Sequence, residues 1–152
     1  MQSCEKFATK LLRESDPDSV TDPLVQLTFG GNDVGSPVKG ACLAQQYHLS
    51  ELGYLLFLTD NVPYEETLRI YLVTEEAKVI DELEFGGNMV TGTLDIIDLN
   101  GKDTIVFSFI HEANCRLQVL STPKWSKPLV FTPGVRRNGS LRKHYLKLDF
   151  QQ

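Results

Sequence analysis

The sequence has no apolar run long enough to cross a bilayer. Its longest, Tyr54-Leu55-Leu56-Phe57-Leu58, falls far short of the roughly 18 residues a spanning helix needs and fits a buried strand instead. Cysteine is scarce. Cys4, Cys42 and Cys115 are odd in number and widely spaced, so they form neither a disulfide framework nor a zinc set. Reduced and mostly buried thiols are expected of them, in a cytoplasmic setting. The first residues, Met1-Gln2-Ser3-Cys4-Glu5-Lys6, carry no basic stretch leading into an apolar one, so no secretory signal is expected there. Internal repeats and low-complexity tracts are also lacking.

What is present suits a single domain over residues 1–152. Hydrophobic residues make up 41% of the chain and charged residues 23%, a balance that excludes a disordered or fibrous class. The net charge of −5 is unevenly spread. Residues 122–152 hold seven basic side chains against Asp149 alone, a net of +6, which leaves −11 for residues 1–121. Two readings follow: the basic segment folds back on the acidic body, or two faces meet partners of opposite sign. The first is preferred, because a sheet protein commonly uses its last segment as a strand.

Along the chain, Cys4, Phe7, Ala8, Leu11 and Leu12 recur at helical spacing, with Ser3 as a cap and Pro17 as a stop. They predict an amphipathic helix over 3–15. Strands follow at 23–29, 38–47, 54–59, 68–74, 78–85, 89–98, 104–110, 115–120 and 145–150. In the run 68–74, Leu68, Ile70 and Leu72 alternate with Arg69, Tyr71 and Val73, which predicts one covered face and one partly wet. Val79, Leu83 and Phe85 are expected on one side of their strand, with Ile80, Glu82 and Glu84 on the other. Asn100-Gly101 predicts a type I′ hairpin turn. Pro63, Pro123, Pro128 and Pro133 are expected to keep their surroundings out of central strands. The expected fold class is therefore α+β, mainly β. It is an antiparallel meander, barrel-like or half-barrel, over about 23–121, with one N-terminal helix and a basic, proline-containing segment over 122–152.

The motifs point away from catalysis. Gly30-Gly31-Asn32-Asp33-Val34-Gly35-Ser36 spaces its glycines like a phosphate loop. However, Ser36 stands where the lysine belongs and Pro37 where a helix would start, so a turn is expected. His111 and Cys115 lie close enough in sequence to meet across a turn, but no third member or oxyanion donor accompanies them. His48 and His144 are far from them and from each other. No cofactor and no metal are expected.

The acidic residues Asp60, Glu65, Glu66, Asp81, Glu82 and Glu84 form the candidate partner-binding patch, weighed against a solvated, edge-protecting role. Arg136, Arg137, Arg142 and Lys143 form a secondary basic surface, with Trp125 or Tyr145 placed for stacking. The low isoelectric point, 5.2, argues against nucleic acid as the partner. The function expected is non-catalytic protein binding, as by a bacterial immunity- or inhibitor-type protein that neutralises its partner through an acidic surface. The alternatives are a ligand-binding or enzymatic barrel-like domain, whose meander closes around a pocket, and an adaptor subunit of a larger assembly.

Overall fold

The run Tyr54–Leu58 lies in a strand buried on both faces, and the rest of the chain is arranged around it. The computed structural model describes residues 1–16, 21–62, 65–86, 92–110, 114–125, 134–137 and 143–151. Among these the chain forms β1 (Gln2–Ser3), β2 (Ala8–Arg13), β3 (Leu24–Phe29), β4 (Asn32–Asp33), β5 (Val38–Lys39), β6 (Cys42–Leu49) and β7 (Gly53–Thr59). It continues through β8 (Leu68–Val73), β9 (Val79–Phe85), β10 (Asp95–Asn100), β11 (Thr104–Ser108), β12 (Asn114–Lys124), β13 (Val135–Arg136) and β14 (His144–Gln151). Neighbouring strands run antiparallel throughout.

Three sheets result. The central one has the order β1-β6-β7-β8-β9-β13, with the stretch β6 to β9 a true meander. A second has the order β10-β11-β12-β14, and a third has β2-β3-β4 with β5 also on β3. Alternation decides which face each residue serves. Leu55 and Phe57 of β7, Leu68, Ile70 and Leu72 of β8, and Leu83 and Phe85 of β9 pack on Ile105, Phe107, Leu117, Val119 and Leu146 of the second sheet. Phe107 meets Phe57 and Phe85 edge to face, each with ring centroids 5.6 Å apart. Tyr54, Leu56, Leu58, Tyr71 and Val73 point the other way, onto Phe7, Val25, Leu27 and Val38. The molecule is a three-layer stack of sheets with two separate cores. Each fully buried Leu or Phe contributes about 1.5–3 kcal/mol.

This architecture overturns several expectations. No helix forms among the described residues, so the α+β class gives way to an all-β one. Residues 3–15, expected as a helix, supply part of β1 and all of β2. The amphipathic pattern spans barely three turns, too short to hold a helix without a surface to cover, and both faces of the central sheet are already covered by other sheets. Pairing β2 on β3 satisfies the backbone instead, with Leu12 as the extra residue of a bulge between the Leu11↔Val25 and Arg13↔Leu24 pairs. Leu11 and Leu12 are left exposed.

Among the described residues the sheets do not close into a barrel. The partly wet face predicted for the 68–74 run is absent too: all of β8 is buried, Arg69 included. In β9 the expected faces are corrected by a bulge. Val73 pairs with Val79 and Leu72 with Asp81, so Ile80 is extra; Val79 then joins the core with Tyr71, while Ile80 turns to the core with Leu83.

The Asn100-Gly101 hairpin forms, but Asn100 pairs with Thr104 and only Gly101 takes a positive φ, 69°. The link is a longer loop, Gly101-Lys102-Asp103, rather than a type I′ turn. Pro123 does lie in a strand. It sits beyond Gln118, the last β12 residue paired with β11, where among the described residues no strand pairs β12 on that side and a missing N–H is tolerated. The glycine-rich segment leads into β4 and β5, with Gly35 pressed against the β8–β9 turn. A Cβ there would lie 2.4 Å from the Ala77 carbonyl oxygen. His111, Arg142, Pro63, Pro128 and Pro133 lie outside the described residues.

Candidate interaction surface

Two buried polar clusters lie on opposite faces of the central sheet. On the face toward β3, Arg69 of β8 meets Asp60, which follows β7, and Glu84, its register partner on β9. Its Nε and Nη2 donate to the two Asp60 carboxylate oxygens, each at 3.0 Å, and Nη2 also donates to Asp22 Oδ1 at 3.1 Å. Nη1 pairs with Glu84, which also receives Arg136 of β13. Burial works against the Arg69 charge, but Asp60 and Glu84 outweigh it and hold the guanidinium above its usual pKa. Burial likewise opposes the Asp22 charge, and Lys39 and Arg69 reverse the balance, lowering its carboxyl. Glu66 acts on backbone: one carboxylate oxygen accepts from the N–H groups of Asp60, Asn61 and Thr67 at 2.7, 3.0 and 3.1 Å.

On the face toward β14, Asp81 points inward on the same side of β9 as Leu83 and Phe85. Its Oδ2 accepts from the N–H groups of Tyr145 and Leu146 at 2.8 and 2.9 Å, and its Oδ1 lies 3.0 Å from His144 Nδ1. Arg137 adds a guanidinium 3.7 Å from the same carboxylate and donates to the Leu146 carbonyl. One aspartate thus ties the edge of the central sheet to the last strand of its neighbour. The segment before β2 is tied more locally: the Gln46 side chain makes a reciprocal pair with the Phe7 N–H and carbonyl, both at 2.9 Å.

The acidic residues singled out from sequence are therefore not one exposed patch. Asp60 and Asp81 are buried and lie on opposite faces. Glu66, Glu82 and Glu84 are half-buried, and Glu65 alone is exposed. Of the basic residues, Arg136 reaches Glu84, the Arg137 side chain is enclosed beside Asp81, and Lys143 is exposed. Arg136 and Arg137 fold back on the acidic body. Cys115 is buried in the core, its thiol pushed up to about 11 by burial. Sequence reasoning missed Arg69 and Asp22. The available signal was a lone guanidinium between Leu68 and Ile70 in an apolar strand, where only paired charge is tolerated.

The surface features that stand apart are the edges of the two outer sheets. β2 and β10 each end a sheet, and in each strand five of six residues are exposed. Four of those are large aliphatics: Leu11, Leu12, Ile97 and Leu99. Both edges flank the β1–β6 side of the central sheet. Phe7, just before β2, is held by Gln46 of β6, and the Met1 amine lies 3.1 Å from the Lys102 carbonyl in the β10–β11 loop.

Among the described residues no group of histidine, cysteine or carboxylate side chains is arranged to hold a metal, and no helix is long and apolar enough to cross a membrane. No known protein family, curated protein or solved structure matches the chain.

Proposed function

We propose that this is a non-catalytic protein-binding domain that meets its partner through the exposed edges of its outer sheets. The observation that carries the reading is the exposure of Leu11 and Leu12 on β2 and of Ile97 and Leu99 on β10, along backbone that no other strand pairs among the described residues. An edge strand offers a row of N–H and C=O groups to an incoming strand, and apolar side chains at the same edge add affinity. The acidic set supports the reading less, since Asp60, Glu66, Asp81 and Glu84 are engaged within the fold. An immunity- or inhibitor-type protein is one form of this function, with the partner on an edge rather than on those carboxylates. A subunit of a larger assembly is the other, and edge pairing suits it directly.

The test is site-specific photo-crosslinking in the native host. A crosslinker at Leu12 or Ile97 is expected to capture a protein, either another polypeptide or a second copy, while one at the exposed turn residue Glu51 captures none. Absence of an adduct from both edges would overturn the proposal.

A further inference from the structure

We infer that the occupant of these edges is a second copy of this chain, with β2 of one copy pairing antiparallel to β10 of another. The inference rests on the edge-binding reading above and names its partner. β2 carries Lys10 and Arg13 around Leu11-Leu12, whereas β10 carries Asp95 and Asp98 around Ile96-Ile97. The spacing is the same in both strands and the sign is opposite. Laid antiparallel, the two sequences set Lys10 against Asp98, Leu11 against Ile97, Leu12 against Ile96 and Arg13 against Asp95. Opposite charges and apolar residues facing each other across strands stabilise a sheet.

The same alignment discriminates against the other pairings. If β2 met β2 with its leucines aligned, Lys10 would face Arg13. If β10 met β10 with its isoleucines aligned, Asp95 would face Asp98. Like charges directly opposite each other repel, so only the unlike edges agree. The bulges, at Leu12 in β2 and Ile97 in β10, fall within one step of each other in this register. Leu11, Leu12, Ile97 and Leu99, exposed by 47, 48, 46 and 37%, would leave water together. Among the described residues Asp95 and Asp98 make no ion pair. Lys10 has an internal partner, Asp33 at 2.9 Å, but both side chains are more than half exposed and such a pair exchanges readily. The contact joins unlike surfaces, so each copy offers one edge of each kind.

Sedimentation velocity on the purified chain over a concentration series at low salt tests this. Concentration-dependent association is expected, weakening as salt is raised. Lys10→Asp with Arg13→Asp, and separately Asp95→Lys with Asp98→Lys, should each weaken association roughly tenfold or more while the circular dichroism spectrum and melting stay those of the parent. Combining all four substitutions in one chain restores opposite signs and should return association to near the parent value. A chain monomeric at every concentration, two charge-reversed variants that associate like the parent, or a combined variant that does not recover would each overturn the inference. If the chain is monomeric but the crosslinker at an edge captures a different protein, edge binding stands and self-association falls. If the edges capture nothing, both fall.

Discussion

The guanidinium of Arg69 lies fork to fork on the carboxylate of Asp60, Nε to Oδ1 and Nη2 to Oδ2, each at 3.0 Å, and both side chains are buried. Two parallel charge-assisted hydrogen bonds fix the geometry as well as the charge. A buried pair of this kind is costly to break from one side, because the partner left behind is desolvated and uncompensated. Arg69→Met is expected to lower unfolding free energy by about 3–5 kcal/mol. Adding Asp60→Leu should recover a large part of that loss. Urea denaturation of the two single variants and the double variant measures the coupling; a cost below about 1 kcal/mol for Arg69→Met would show the pair to be energetically idle.

Asp81 presents a different case, since it accepts from two backbone N–H groups of β14. Asp81→Ala leaves those groups and His144 without an acceptor in a buried place. The expected loss is about 3 kcal/mol, or roughly 6–12 °C in Tm for a chain of this length. Asp81→Asn keeps one carbonyl acceptor and should cost less. Thermal melts followed by circular dichroism separate the two, and equal losses would mean that the backbone contacts contribute little.

The three thiols should differ in reactivity because their exposure differs. Cys42 is exposed, Cys4 half-buried and Cys115 buried. Against a disulfide reagent at pH 8, Cys42 should react fastest and Cys115 should stay protected until urea unfolds the chain. Protection of Cys42 with rapid labelling of Cys115 would contradict the strand assignments of β6 and β12.

The same burial sets a pH dependence. Burial favours the neutral Cys115 thiol, raised to about 11, and it also raises the Tyr71 phenol. For such groups the unfolded chain ionises first. Their contribution to stability is therefore whole below about pH 9 and declines as pH rises toward 11. Asp22 has the opposite sign: lowered in the fold, it contributes above the ordinary aspartate range, and that contribution is lost as pH falls below about 4. Urea midpoints at pH 3, 7 and 10.5 should be highest at 7. In Cys115→Ala the fall between 7 and 10.5 should be smaller.

Hydrogen exchange should follow the layers. Amides of β7 and β8, whose residues feed both cores, are expected to exchange slowest, and those of β2 and β10 fastest among the strands. Far-ultraviolet circular dichroism should show no helical minimum at 222 nm, as the all-β fold requires. Leu11→Ser and Leu12→Ser should change stability by only about 0.5 kcal/mol, because neither leucine is in a core.

Period-two alternation and turn residues in the sequence sufficed to place seven strands, β3, β6 to β9, β11 and β14, to within a few residues. The reason is that these patterns are local: a strand's two faces and a hairpin's reversal are written in neighbouring residues. The 3–15 segment misled because its apolar spacing is short and its strand state comes from β3, a partner outside the segment that only the fold brings beside it. The partly wet face was misjudged for the same reason. Nothing within Leu68–Val73 states that a further sheet covers Tyr71 and Val73, and only the three-layer stack decides it. Most of the acidic residues were read as surface because carboxylates usually are. Their partners, Arg69 for Asp60 and Glu84 and the β14 backbone for Asp81, are brought to them by strand order and by the stacking of the sheets. The sequence alone determined that this is a β-rich chain with an apolar centre at Tyr54–Leu58. Tertiary structure decided which charges are buried and which strands are left as open edges, because burial and pairing depend on what comes to lie beside each strand.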